Sequence, residues 1–82
     1  MAGSHNAAEQ VRLSITAGAN ADTDITVTGI RTRDCVINSV QASDGTEYDP
    51  TTFTITAADT VQSTVSTATK TLHVLWADLT AG

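Results

Sequence analysis

Side chains suited to nucleophilic, acid–base or metal chemistry are few in this chain and widely spaced. Among 82 residues there is one cysteine, Cys35, and two histidines, His5 and His73. No serine or cysteine occupies a glycine-framed elbow, and the histidines lack metal-ligand spacing, so no catalytic residue, metal site or cofactor is expected. Cys35 stands in the apolar run Cys35-Val36-Ile37 and reads as a small buried hydrophobe in a reducing compartment. Asp22-Thr23-Asp24 is half of a calcium site at most, because calcium needs about six or more oxygens; it reads instead as a turn entering a strand. The pairs Thr26/Thr28 and Thr54/Thr56 lack the fixed repeat of an ice-binding array. An isopeptide bond through Lys70 would need a buried lysine beside a carboxylate, and its neighbours give no sign of burial. The chain reads as a non-enzyme.

The elements that must hold these residues are strands. Lys70-Thr71-Leu72-His73-Val74-Leu75-Trp76-Ala77-Asp78 concentrates the apolar mass and holds the only tryptophan. Leu72, Val74 and Trp76 fall on one side at period two, and His73, Leu75 and Ala77 on the other, the pattern of a central strand covered on both faces. Gln10 to Thr16 alternates Val11, Leu13 and Ile15 with Arg12, Ser14 and Thr16, which predicts a half-buried strand with its polar face outward. Asp24 to Thr28 repeats the pattern with Ile25 and Val27 inward, and Cys35 to Ala42 carries apolar residues on both faces. Asp44-Gly45 fits a tight hairpin turn into Thr46 to Tyr48, and Pro50 ends that pairing. Thr52 to Thr56 is the next strand, with Phe53 and Ile55 inward, and the Thr-rich stretch Asp59 to Thr69 reads as a long connection with some β character. No stretch has helical periodicity. The fold expected is all-β, a small antiparallel sandwich or barrel of five to six short strands spanning residues 9–82. Its expected core holds Val27, Ile37, Phe53, Ile55, Leu72, Val74 and Trp76.

A core built from a composition that is 40% hydrophobic and 4% aromatic is thin in a domain this short. A lone cysteine excludes an internal disulfide, which leaves self-association, as a trimer or dimer, as the expected reinforcement. The net charge of −5, with only Arg12, Arg31, Arg33 and Lys70 as cations, argues against direct nucleic-acid binding. No apolar run reaches the roughly 18–20 residues of a membrane span and no signal-peptide profile opens the chain, so a soluble, cytoplasmically made protein is expected. Residues 1–8 are small and polar and read as an arm unable to form a core.

Three segments taken together carry a family likeness: Asn20-Ala21-Asp22-Thr23-Asp24-Ile25-Thr26-Val27-Thr28-Gly29-Ile30, Phe53-Thr54-Ile55-Thr56-Ala57-Ala58-Asp59-Thr60-Val61, and Thr71-Leu72-His73-Val74-Leu75-Trp76-Ala77-Asp78. In this order and at this length the chain resembles the small β-rich capsid decoration, or cement, proteins of tailed bacteriophages. The resemblance implies a virion protein, made in the host cytoplasm, that binds the major capsid protein on the outer capsid surface and stabilises the shell. Under it, Ala2, Gly3, Ser4, His5, Asn6 and Ala7 in the arm, with Arg31 and Arg33, are the expected capsid or subunit contacts. The competing readings are a tail or head-to-tail structural component and a small carbohydrate-binding β module. The last would present several exposed aromatics, and the only aromatics are Tyr48, Phe53 and Trp76, two of them assigned to the core.

Overall fold

A computed structural model describes residues 10–79. The arm at 1–8, with its expected contacts Ala2, Gly3, Ser4, His5, Asn6 and Ala7, lies outside the described residues. Seven strands follow in order: β1 (Gln10–Ala17), β2 (Ile25–Thr26), β3 (Cys35–Ala42), β4 (Glu47–Tyr48), β5 (Phe53–Ala57), β6 (Thr60–Ser63) and β7 (Thr71–Asp78). A short 3-10 turn, Pro50–Thr52, precedes β5, its first turn capped by the Asp49 carboxylate accepting from the Thr51 amide. Every pairing is antiparallel, in a four-stranded sheet ordered β1-β7-β3-β4 and a three-stranded sheet ordered β2-β6-β5. The fold is all-β.

β7 is central, as its two apolar sides require: it pairs along its whole length with β1 and again with β3. Leu72, Val74 and Trp76 face the other sheet and join Ile25, Val27, Ile30, Val40, Ala42, Phe53 and Val61 in one core. Ile37 and Ile55, with Cys35, are only partly buried against it. A bulge between Ile37 and Ser39 resolves the mixed pattern of β3, because one extra residue lets Cys35 and Ile37 before it, and Val40 and Ala42 after it, all turn inward.

The strand count exceeds the expected five to six because β6 lies within the stretch read as a connection. Val61 sits opposite both Ile25 and Ile55 and is buried. Hydrogen bonds make up for the low hydrophobicity around it. Thr67 is buried, its Oγ1 accepting from the Ala19 amide at 3.0 Å while its own amide donates to the Ala19 carbonyl at 2.8 Å. Gly18 passes so close that an added Cβ would lie 2.1 Å from the Thr67 carbonyl oxygen. The Asp59 carbonyl and Oδ1 accept from the amides of Val27 and Gly29, and the Asp59 amide donates to the Ile30 carbonyl, which closes the 27–30 loop over the core.

The first strand forms where expected but presents its other face. Ser14 and Thr16 are half-buried, whereas Val11, Leu13 and Ile15 are 60%, 59% and 61% exposed. Register explains the reversal. Arg12 is the β-partner of Trp76, so with Trp76 in the core the even-numbered side chains of β1 share its side and the odd-numbered ones must face out. The indole N–H donates to Ser14 Oγ at 3.0 Å and the Arg12 guanidinium lies 5.8 Å from the ring centroid, so the polar face of β1 meets a side chain that needs polar partners.

Candidate functional site

With β1 turned this way, its odd-numbered aliphatics line one side of the outer surface of the four-stranded sheet, in rows that turn polar toward β3 and toward the start of β7, with Ala77 buried between its neighbours. Val11, Ala77 and Val36 stand side by side across β1, β7 and β3; the next row is Leu13, Leu75 and Ser39, and the third is Ile15, His73 and Gln41. Between outermost Cα rows this face spans about 14 Å along the strands and about 10 Å across them. Exposed apolar residues scattered singly are ordinary, whereas a contiguous set on one sheet is a candidate interaction surface. Covering what remains exposed of Val11, Leu13 and Ile15 would return about 1–2 kcal/mol each.

Beside this face, Ser43 Oγ and His73 Nε2 are 2.8 Å apart, a contact between residues 30 apart in sequence that local spacing does not reveal. The neighbouring Asp44 carboxylate is engaged elsewhere, by the Lys70 ammonium and by the Thr46 amide. Those bonds, with that to Lys70 the largest, hold the Asp44 carboxyl well below the usual carboxylate range, and Asp44 in turn holds Lys70 above its ordinary value. Lys70 is therefore a surface clasp between the β3–β4 turn and the start of β7.

Arg31 and Arg33, the expected contacts inside the described residues, come together in one open groove of about 470 Å³ with Thr32, Asp34 and Ala58. Arg31 has a structural commitment: its Nη2 donates to Asp78 Oδ1 at 2.7 Å, tying the 31–34 connection to the end of β7. Asp78 is buried, and this bond raises the pKa of the Arg31 guanidinium. Among the described residues, no group of three or more His, Cys, Asp and Glu could hold a metal ion. No described helix is long and apolar enough to cross a membrane. Tyr48 packs edge-on against Phe53, centroids 6.3 Å apart, and Trp76 is 1% exposed.

Compared with known proteins, the chain matches no family model, no curated protein and no solved structure. Sequence alternation found the right residues, Val11, Leu13 and Ile15, and assigned them to the wrong side; only the register with Trp76 corrects it.

Proposed function

We propose that this protein is a structural virion component, a decoration protein that binds the major capsid protein on the outside of a bacteriophage capsid and stabilises the shell. One observation carries the binding role: the outward face on which exposed Val11, Leu13, Ile15 and Val36 flank half-buried Leu75 on one sheet. The capsid as target comes from the likeness of the three segments quoted above to cement proteins. An acidic chain with a net charge of −5 suits the outside of a shell better than its DNA-filled interior.

The test is reconstitution. Purified protein is added to shells lacking it, and occupancy is read by sedimentation and by particle survival on heating. Full-length protein should bind at hundreds of symmetry-related copies and raise the shell's melting temperature. Leu13→Lys, at an exposed position, should fold normally and lower occupancy at least tenfold. Binding limited to a dozen or so copies would instead assign a connector or tail role, and undiminished occupancy by Leu13→Lys would remove this face from the contact.

A further inference from the structure

We infer that β1 is a dimerisation edge, where two copies pair β1 to β1 antiparallel about a two-fold axis and join their four-stranded sheets into one of eight strands. The directions of the backbone groups carry this. The Gly18 amide donates to the Lys70 carbonyl at 2.8 Å, the next rung of the β1–β7 register, so the even-numbered residues of β1 bond inward to β7. On the far side of β7, Ser43 N donates to the Thr71 carbonyl, which assigns the odd-numbered residues of β7 to β3 and leaves the even-numbered ones for β1. By the alternation of antiparallel ladders, Val11, Leu13, Ile15 and Ala17 each aim one N–H and one C=O at the open edge.

Among the described residues, nothing blunts that edge. β1 runs through eight paired residues without a bulge or proline, and its one charged side chain, Arg12, is turned toward Trp76. The remaining edges are guarded by the usual means. β4, at the opposite end of the sheet, is two residues long and carries Glu47; β2 is two residues long; β5 has a register break between Ile55 and Ala57.

Charge selects a second copy as the occupant. Copies with a net charge of −5 repel, yet the chain has no carboxylate from Gln10 to Ala21, so this edge is where two copies approach at least electrostatic cost. A two-fold register that uses all four open residues puts Leu13 opposite Ile15 of the second copy and Val11 opposite Ala17. Arg12 then faces Thr16 rather than the other arginine. Pairing also makes the two apolar faces continuous, which brings them nearer the roughly 800 Å² per partner of a stable interface. That consequence for the shell rests on the function proposed above; the pairing itself does not.

The experiment uses the purified full chain without shells. Sedimentation equilibrium from micromolar to millimolar concentration should show a reversible dimer. Leu13→Pro removes a donor that points away from β7, and Ile15→Lys places a charge on the edge; with circular dichroism unchanged, each should weaken dimerisation by about tenfold or more. If Leu13→Pro fails to fold, Ile15→Lys carries the comparison. In a Cys35→Ala background, a mixture of Leu13→Cys and Ile15→Cys chains should oxidise to a covalent heterodimer, whereas a Val65→Cys chain should remain single. A wild-type monomer at millimolar concentration overturns the inference. So does dimerisation that survives Ile15→Lys, or a monomer that dimerises only after residues 2–8 are removed, which would assign the edge to the chain's own arm. A solution monomer whose shell binding is abolished by Ile15→Lys would also overturn it, assigning the edge to a strand of the shell while leaving the decoration role intact.

Discussion

Trp76 combines the largest buried side chain with a hydrogen bond to Ser14 and a cation above its ring, so two substitutions separate its contributions. Trp76→Ala should destabilise the domain by about 3–5 kcal/mol through the emptied volume, read from denaturant unfolding. Ser14→Ala leaves the indole N–H without its partner and should cost about 1–3 kcal/mol. Asp44 gives the pH dependence its sign. Its carboxyl titrates below the ordinary value of 3.8 when folded, so its contribution is fully present above that value and disappears as pH falls through the lowered folded pKa. Asp49, bonded by the Thr51 hydroxyl and amide, acts in the same direction. Lys70 is raised, so its share persists below its ordinary 10.5 and is lost as pH rises past the folded value. Asp44→Asn should therefore lose less stability than wild type on acidification below about pH 4. The difference should shrink with added salt, because the pair is exposed. Equal acid titrations for the two proteins would show that the clasp contributes nothing.

At the level of elements, the connection between β6 and β7 depends on a close approach. Gly18→Ala would drive a methyl into the Thr67 backbone and should cost about 1–3 kcal/mol by forcing the two segments apart; a melting temperature equal to wild type would contradict this packing. The positions of β1, β5 and β7 were legible in the sequence because period-two alternation survives in each, and that of β3 because its apolar run persists through the bulge that breaks its alternation. Which side of β1 is buried was not. Alternation defines two faces and leaves their assignment to the neighbour, and here the neighbour is Trp76, 62 residues away. β6 escaped notice because Thr60, Gln62 and Ser63 carry no apolar signal. Thr64 N donates to the Thr52 carbonyl across the β5–β6 hairpin and Gln62 donates to Asp24 before β2, bonds that appear only once these segments have been brought together. The Ser43–His73 contact was hidden for the same reason, since two strands must be in register to produce it.

For the whole molecule, folding and attachment should be separable. Removal of residues 2–8 should leave the melting temperature of the β domain unchanged and, under the proposed role, lower shell occupancy sharply, since that segment is small and polar and lacks the side chains of a core. Full occupancy by the truncated chain would leave attachment to the sheet face and to Arg31 and Arg33 without the arm. The split runs deeper than the arm, because it also divides β1 residue by residue. Arg12, Ser14 and Thr16 answer to Trp76 and the fold, while Val11, Leu13 and Ile15 answer to whatever lies outside. Under the proposed capsid role, selection would act on one strand through two interleaved alphabets. Where the shell changes, the odd positions should drift with it while the even positions stay fixed, and a chain freed from its shell should lose its odd-numbered aliphatics first and still fold.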